Sequence, residues 1–477
     1  MKKLVIEATK ERIVAQSGLA IVGNLLSLTN LASRLNAYRL PDISRNPVCS
    51  NGDVAKSYIG LLCQGKSDYD NIETFREDAF FALALDIQRV PSSPTLRQRL
   101  DQAALTEKWK AILHEESLNL IRNTNAEISP VYAKDKPYIP VDLDVSPFDN
   151  SKTKKEGVER TYKGCDGYAP MFGYIGQEGY CLHVEMRKGN DHCQKGTPNF
   201  IKETIQSARR LTDQPLLFRL DSGNDSRDNL IIFLEEHASF VIKRNPRKEK
   251  AEDWLHIAQN NLIIFLEEHA SFVIKRNPRK EKAEDWLHIA QKYGICCEER
   301  EGKKVYLGSI PETIQLKDQI RTIRKVFKVI ERTISRDGQI FLIPEYEFET
   351  YWTDLEVPPH VVISLYHDHG TCEQFHSEIK SELDLERLPS VKYETNGLVL
   401  HFGVFAYNLL RLIGQESLKK QDAPLKKKAT RRRIRTVIQN MITLASKLVY
   451  QGRQWKLKVT ATNKWLPTFA RLYDAFY

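Results

Sequence analysis

Acidic residues stand at the ends of two predicted strands. In residues 138–146 apolar and polar residues alternate, which predicts a strand with Asp142 and Asp144 on one face. Further along, the short apolar run 215–220 predicts a buried strand that ends in Asp221, directly before a glycine turn. Both predicted strands therefore offer a carboxylate where the chain leaves a sheet.

A third acidic residue, Glu373, belongs to the start of a predicted helix. A turn signal at 369–371 precedes the helical pattern, and Thr371 is a candidate N-cap. Glu373 then lies in the first turn, where the helix dipole favours a carboxylate. Ser377 and Lys380 follow four and seven residues later, on the same face. Such a stripe could act on a metal ion and a phosphate; a solvated charged face is the alternative interpretation.

The three carboxylates could converge at one place in the fold. Carboxylate oxygens are the hard ligands that Mg²⁺ prefers. A pair of such ions can clamp the attacking and leaving oxygens of an in-line phosphoryl displacement. The pattern therefore indicates metal-dependent phosphoryl transfer.

Four residues in and just before the predicted Glu373 helix have a spacing that resembles a signature of DDE transposases from bacterial insertion sequences. Tyr366, His369, Glu373 and Lys380 fit the group-four-like motif Y-x2-R-x3-E-x6-K, with histidine in place of the motif's arginine. A protonated histidine still contacts phosphate, but more weakly and in a pH-dependent way. Nearly the whole chain resembles the insertion-sequence group numbered thirteen-eighty. The blocks that carry this resemblance are 142–148, 189–190, 219–225 and 386–390.

The resemblance implies a catalytic triad and its cofactor. Asp144, Asp221 and Glu373 would be the catalytic residues and would hold two Mg²⁺ ions, with Mn²⁺ as a substitute. Asp144 is preferred as the first aspartate, because the family's catalytic aspartate is followed closely by a small hydroxyl residue. Asp142 stays open as the alternative.

The resemblance also implies the fold and the contacts with DNA. The expected fold is α/β, with a ribonuclease-H-like mixed sheet as the catalytic core, a β-rich insertion and an N-terminal helical domain. Lys380 would hold a DNA phosphate, while Tyr366 and His369 would position the strand. The partners would be double-stranded DNA, at the transposon ends and the target, and a second copy of the chain in a homodimer.

Composition limits the class of protein. The chain has 477 residues and a net charge of +9, a moderate excess that is compatible with a polyanionic partner. Its eight cysteines form no C-x-x-C pair, which favours reduced thiols in a cytosolic protein. No signal peptide is evident, and no apolar run approaches the ~20 residues that span a bilayer. We expect a cytoplasmic, nucleoid-associated bacterial protein without a membrane segment.

Element patterns divide the chain into three predicted parts. Residues 1–130 form an N-terminal mixed or helical DNA-binding domain, in which short helices resemble a helix-turn-helix arrangement. There Arg97 and Arg99 could face DNA, and a helical bundle with solvated arginines is the alternative. Residues 138–415 form the catalytic core, with the β-rich insertion at about 292–355.

An exact repeat lies within the predicted core, in segment 229–291. Residues 229–259 recur letter for letter as 261–291, with a period of 32. Two units are too few for a solenoid, which indicates a tandem duplication. Each copy offers a helix and a strand, and we expect room for one such strand beside the Asp221 strand. The other copy should form an appendage on the insertion or stay loosely ordered.

The last predicted part, 416–477, is a basic C-terminal DNA-binding tail. Its run 426–435 has seven basic residues and no acid, which suits phosphate contact, whereas a solvated tail is the alternative. The basic residues of this run are Lys426, Lys427, Lys428, Arg431, Arg432, Arg433 and Arg435.

Three functions remain open from the sequence. The first is a transposase that binds terminal inverted repeats and catalyses metal-dependent strand cleavage and strand transfer. The second is a catalytically inactive or domesticated DNA-binding copy, which the exact repeat favours. The third is a nuclease of the same fold, which hydrolyses strands but does not join them.

Overall fold

The computed structural model describes most of the chain. It covers residues 4–477 without 42–46, 134–135, 225, 243–272, 276–281, 317–318, 336, 338, 354, 368–369 and 426–428. His369 and the lysines at 426–428 therefore lie outside the described residues, as do the second half of the first repeat and most of the first half of the second.

A mixed sheet forms the centre of the molecule, as the α/β prediction requires. Its middle strand, β3, is flanked by two parallel strands on one side and by an antiparallel pair on the other, in the order β10-β9-β3-β7-β8. The short strand β2 pairs with the start of β3. The bounds are β2 Val131–Ala133, β3 Lys136–Val145, β7 Met171–Ile175, β8 Tyr180–Glu185, β9 Leu216–Leu220 and β10 Ser239–Ile242.

Two small sheets complete the edges of the central region. One joins both ends of the chain, because β1 pairs with β16 and β16 with β17. The other has the order β4-β6-β5 and lies between β3 and β7 in the sequence. The bounds are β1 Arg12–Val14, β4 Phe148–Asp149, β5 Glu159–Arg160, β6 Asp166–Tyr168, β16 Ser446–Gln451 and β17 Gln454–Val459.

Helices pack around the central sheet. The N-terminal ones are α1 to α6, and the long helix α12 is buried along almost its whole length. One helix, α12, is apolar and long enough by composition to cross a bilayer, but 94% of its apolar window is buried inside the protein. The bounds are α1 Leu19–Ser27, α2 Leu31–Ala37, α3 Asn51–Leu62, α4 Ala79–Ala84, α5 Ser93–Ala103, α6 Lys108–Asn123, α7 Thr197–Arg209, α8 Arg227–Glu235, α9 Ala283–Tyr293, α10 Pro359–His367, α11 Thr371–Ser377, α12 Tyr393–Glu416, α13 Ile434–Val437 and α14 Leu466–Ala475.

Short 3₁₀ and π-helical turns interrupt or extend these helices. The 3₁₀ turns are Tyr69–Phe75 and Ser222–Asn224, and the π-helical turns are Glu378–Glu382 and Ile438–Ile442. The first π-helical turn directly continues α11.

A second large sheet stands between β10 and α10 in the sequence. Five antiparallel strands follow the order β11-β15-β14-β13-β12, and Trp286 of α9 packs against Phe327 and Phe348 of this sheet. The bounds are β11 Val273–Lys275, β12 Gly294–Arg300, β13 Lys303–Leu316, β14 Gln319–Ile334 and β15 Ile340–Thr353. Four of these strands occupy the region in which the sequence predicts a β-rich insertion.

One apolar core connects the parts of the chain. A single buried cluster includes residues from Val14 in β1 to Phe476 after α14, and it runs through the central sheet and α12. It is continuous across residues 130 and 415, where the sequence predicts domain boundaries. The end segments also meet directly, because the hydroxyls of Ser17 and Ser446 lie 2.6 Å apart.

The two copies of the repeat contribute strands to two different sheets. Phe-Val-Ile of the first copy ends β10, which pairs in parallel with the Asp221 strand, β9. Val-Ile-Lys of the second copy forms β11, which pairs with β15 at the edge of the insertion sheet. The central sheet thus takes one copy of the strand, and the other lies on the insertion.

Candidate functional site

The register of β3 against β9 brings two carboxylates together. The parallel pairing places Asp142 opposite Arg219 and Leu143 opposite Leu220. The next residues of the two strands are Asp144 and Asp221, which therefore stand side by side where both strands end. Neighbouring strands are about 4.8 Å apart, and in-register residues of parallel strands point to the same face. This edge, at the carboxyl ends of parallel strands, is where open α/β sheets bind their ligands.

Asp142, the alternative first aspartate, has a structural partner. Its two carboxylate oxygens accept hydrogen bonds from Nε and Nη2 of Arg219, both at 2.6 Å. Both side chains are almost completely buried. A bidentate pair of this kind neutralises the charge of each partner and orients the guanidinium rigidly. Asp142 therefore joins β3 to β9 inside the sheet, two residues before Asp144 on the same face of the strand.

Asp144 lies at the edge of the sheet and contacts helix α11. Its Oδ1 accepts a hydrogen bond from the backbone N–H of Val145 at 2.8 Å. Its Oδ2 lies 3.3 Å from Nε2 of His376 and 3.6 Å from Sγ of Cys372. These contacts turn the carboxylate toward the helix that carries Glu373.

Asp221 is exposed at the end of β9, and its carboxylate is oriented by the turn that follows. Oδ1 accepts hydrogen bonds from the backbone N–H of Gly223 at 3.0 Å and from Nδ2 of Asn224 at 2.8 Å. Tyr366, in α10, lies near the same carboxylate. Burial raises the pKa of Tyr366, and the negative charges of Glu349 and Asp221 raise it further.

Glu373 is exposed in the first turn of α11, as predicted. Gly370, and not Thr371, holds the N-cap position, because Thr371 is already helical. Phe375 fixes the helix against the β7–β8 turn: a Cβ on Gly179 would come within 2.1 Å of its ring, and Gly179 has a φ of 74°. Only glycine fits this close approach without strain.

A buried ion pair fixes the π-helical turn behind Glu373. Glu378 bonds to Arg411 of α12, and both side chains are fully buried. Lys380 lies in the same turn, where its Nζ donates to the carbonyl of Pro147 and stands 5.3 Å from the centre of the Phe148 ring. Burial lowers the pKa of Lys380. π-helical turns often occur at functional sites, and this one rigidly connects the Glu373 helix to the core.

Tyr162 links the three carboxylates of the candidate triad. The residue is 70% exposed, and its hydroxyl donates to the backbone carbonyl of Val145 at 3.4 Å. Most of the side chain is exposed, but partial burial of the hydroxyl end raises its pKa, and the charges of Asp144, Asp221 and Glu373 raise it further. The three carboxylates therefore lie within electrostatic reach of one hydroxyl, although they come from β3, β9 and α11.

The described arginines of the basic run differ in exposure. Arg431 stacks on Phe375 at 4.5 Å, and Arg432 is buried, 4.4 Å from the centre of the Trp465 ring. Burial lowers the pKa of Arg432 to about 10. Arg433 and Arg435 are exposed beside Glu378 and Glu382, with N···O distances of 3.8 and 3.2 Å.

The arginines of α5 also differ. Arg99 is buried and donates to Oδ1 of Asn51 at 2.6 Å, so its side chain does not face solvent. Arg97 is exposed and lies 3.6 Å from Asp70. Only Arg97 of this pair presents charge on the surface.

Three residues of the site were missed from the sequence. Cys372 and His376 are four residues apart on α11, a spacing that places two potential ligands on one helix face. This spacing is visible in the sequence, but its proximity to Asp144 is not. Tyr162 lies in a loop without any pattern, and only the fold brings it to the carboxylates.

Known proteins match this chain in a family model and among solved structures. The family model described as Transposase DDE domain group 1 matches residues 1–476. A search of curated proteins finds no match. Among solved structures, the chain is similar to a cryo-EM structure of a piggyBac transposase synaptic complex with hairpin DNA. The similarity has a TM-score of 0.35 at 8% identity, and covers 90% of this chain and 80% of that chain.

Proposed function

The chain belongs to the family of transposases with a DDE domain, and from this premise we propose that it transposes a bacterial insertion sequence. It would bind the terminal inverted repeats of the element and catalyse metal-dependent cleavage and strand transfer of DNA. The observation that carries this proposal is the register of β3 and β9, whose last pair is Leu143 and Leu220, so that Asp144 and Asp221 follow side by side. The helix of Glu373 contacts Asp144 through His376 and Cys372.

The residues of the site fit a magnesium cofactor. Asp144, Asp221 and Glu373 offer carboxylate oxygens, which are the donors that Mg²⁺ prefers. The charges of all three raise the pKa of the Tyr162 hydroxyl, so each lies within electrostatic reach of it. When bound, two Mg²⁺ ions would supply activation of the attacking oxygen and stabilisation of the leaving oxygen. Mn²⁺ would serve as a substitute. The Gly223 and Asn224 donors hold the carboxylate of Asp221 in place for this role.

We propose that the DNA is contacted by the residues that the family motif and the basic run single out. Tyr366 packs near Asp221 and would position the reacting strand together with His369. Lys380 would bind a phosphate at the end of the element, and its hydrogen bond to the Pro147 carbonyl holds it near β3. The exposed Arg433 and Arg435 would bind phosphates further along the duplex, together with Lys426, Lys427, Lys428 and Arg431.

The finer designation of the fold is also a proposal. A meander of three antiparallel strands, β3, β7 and β8, is followed by two strands parallel to the first, β9 and β10. This topology supports a ribonuclease-H-like catalytic core with a β-rich insertion before the Glu373 helix. We propose further that the active form is a homodimer on DNA and acts in the bacterial cytoplasm, associated with the nucleoid.

A strand-transfer assay tests the function. The full chain is incubated with Mg²⁺, a donor duplex carrying the DNA that flanks its gene, and a supercoiled target plasmid. Joined products that disappear with a chelator and return with Mg²⁺ are expected. Cleavage without joining would indicate the nuclease alternative. Binding without cleavage would indicate the inactive copy, which the exact repeat favours as the second candidate.

A further inference from the structure

A second type of donor set lies next to the carboxylates. Asp144, Cys372 and His376 each offer one ligand atom, and the three atoms lie within 4.8 Å of one another. Cys372 and His376 are buried, whereas the side chain of Asp144 is partly exposed to solvent. A thiol and an imidazole are poor ligands for Mg²⁺ and good ones for Zn²⁺. This cluster therefore differs in chemistry from the all-carboxylate site.

Two of the three distances within the cluster match a tetrahedral ion, and the third, between Sγ of Cys372 and Nε2 of His376, is no more than 4.8 Å. With Zn–S near 2.3 Å and Zn–N or Zn–O near 2.0–2.1 Å, two ligand atoms lie about 3.3–3.6 Å apart. The Asp144 Oδ2 atom is 3.3 Å from Nε2 of His376 and 3.6 Å from Sγ of Cys372. An ion placed between the three atoms would draw Cys372 and His376 together on one face of α11, with a fourth position left for water.

Neighbouring groups orient two of the three ligands. Nδ1 of His376 lies 3.1 Å from the hydroxyl of Tyr174, a partner that fixes the ring and leaves Nε2 toward the cluster. Oδ1 of Asp144 is held by the backbone N–H of Val145, which directs Oδ2 toward the helix. Ligating histidines usually have such a partner on their second nitrogen.

We propose that Asp144, Cys372 and His376 form a binding site for Zn²⁺, in which the ion engages Asp144 and withdraws it from the magnesium-binding triad. On binding, the thiol of Cys372 releases its proton to solvent and the thiolate takes the metal. The site itself follows from the donor geometry alone. Its consequence, inhibition of DNA cleavage, rests on the proposed function.

Cobalt titration tests the site without any DNA. Co²⁺ replaces Zn²⁺ in such sites, and four-coordinate Co²⁺ with a thiolate ligand absorbs strongly in the visible and near-ultraviolet. The full chain would carry Ser in place of the four less buried cysteines, Cys165, Cys193, Cys296 and Cys297, which could bind Co²⁺ elsewhere. We expect one Co²⁺ per chain with a thiolate band, which Zn²⁺ displaces.

Further substitutions identify the ligands. Cys372→Ser should remove the thiolate band, and Asp144→Asn, at a partly exposed position, should weaken Co²⁺ binding in a protein of unchanged thermal midpoint. Tyr174→Phe should weaken it by about 10-fold or more, because the histidine ring then has no partner on its second nitrogen. Cys181→Ala is the matched control. Cys181 is also a buried thiol, but it donates to the backbone carbonyl of His183 and does not belong to the cluster. Absence of the band in the starting protein, or an unchanged band in Cys372→Ser, overturns the proposal.

Cleavage assays then test the consequence. At constant Mg²⁺, added Zn²⁺ should slow cleavage by the starting protein, and the ratio of rates with and without Zn²⁺ should approach one in Cys372→Ser. A protein that shows the cobalt band but no cleavage under any condition would refute the proposed function and leave the metal site intact. Equal inhibition of both proteins by Zn²⁺ would instead refute the link between this site and catalysis.

Discussion

Asp142 and Asp144 lie on the same face of β3, but their surroundings give them different tasks. Asp142 is enclosed with Arg219 between two strands, and its charge is already used in a bidentate ion pair. Asp144 lies two residues further along β3, directly after the last pair of the β3–β9 register and beside Asp221. A catalytic carboxylate must reach a metal ion and the substrate, and the more exposed position of Asp144 favours it over Asp142 as the proposed first aspartate.

Isosteric replacement tests the triad. Asp144→Asn, Asp221→Asn and Glu373→Gln should each slow cleavage by at least about 10³-fold, because each removes a charged ligand of the metal pair. DNA affinity, measured by fluorescence anisotropy in the presence of chelator, should change little. Wild-type cleavage by Glu373→Gln would show that the motif has been assigned to the wrong helix.

Replacement of Asp142 should affect folding first. Asp142→Ala leaves the guanidinium of Arg219 buried without its counter-charge, and breaking a buried pair in this way costs about 3–5 kcal/mol. We expect a lower midpoint in denaturant unfolding. The double variant Asp142→Leu, Arg219→Met should recover much of this stability, since neither charge then remains. An Asp142→Ala protein of normal stability that cannot cleave DNA, alongside an active Asp144→Asn, would make Asp142 the catalytic residue.

At the scale of elements, the basic run is part of the folded structure. The run packs against α12, because the guanidinium of Arg411 in that helix donates to the backbone carbonyl of Arg432 at 2.8 Å. Arg432 itself donates to Ser417 and to the carbonyl of Thr436. The buried Arg432 therefore stabilises the fold, whereas Arg433 and Arg435 are exposed and available to phosphates.

The exposed arginines should determine part of the salt dependence of DNA binding. In the double variant Arg433→Ala, Arg435→Ala, the slope of log affinity against log salt should fall by about 0.9 for each phosphate that is no longer neutralised. Arg300→Ala, Lys304→Ala is the matched control, because these residues are also exposed and paired with glutamates, but on the β-rich insertion. If the slope of log affinity against log salt is the same for the wild type and both variants, Arg433 and Arg435 do not bind phosphates and are only solvated surface residues.

At the scale of the whole molecule, a continuous core holds the site together across a long stretch of sequence. Asp221 and Glu373 are separated by the repeat and the insertion, yet both belong to elements that pack on the same sheet. Strand pairing and helix packing therefore set their distance, and the length of the intervening chain does not.

Excision of one repeat copy tests this separation of site and insertion. Because the copies are identical, removing 229–260 yields the same protein as joining Ile242 directly to Lys275. One strand could then pair with β9 by its first residues and with β15 by its last. A shorter connection costs less closure entropy, and a single copy removes the competition between two identical strands. We expect an equal or higher thermal midpoint and equal or higher activity.

The control for the excision is a deletion of the same length that starts in the second copy and ends beyond it. Such a deletion, 262–293, removes α9 and should destabilise the insertion sheet, because Trp286 packs on it. If excision of 229–260 lowers stability as much as this control, both copies are structural parts of the fold.

The sequence by itself determined the local elements and the chemistry they carry. Alternation and apolar runs predicted β3 and β9, and residue types with their spacing pointed to carboxylates, a metal cofactor and phosphoryl transfer. These properties are encoded by neighbours within a few residues. The α/β class followed from the order of such elements.

Tertiary structure alone decided which of these residues lie together. Asp142 and Asp144 are equivalent in a period-two pattern, and only the register with β9 buries the first and leaves the second partly exposed. Likewise, Arg432 and Arg433 are neighbours of one type, but packing on Trp465 buries the first. The approach of Tyr162, Cys372 and His376 to Asp144 joins parts of the chain that are distant in sequence, because strand pairing and side-chain packing are long-range interactions that no local pattern records.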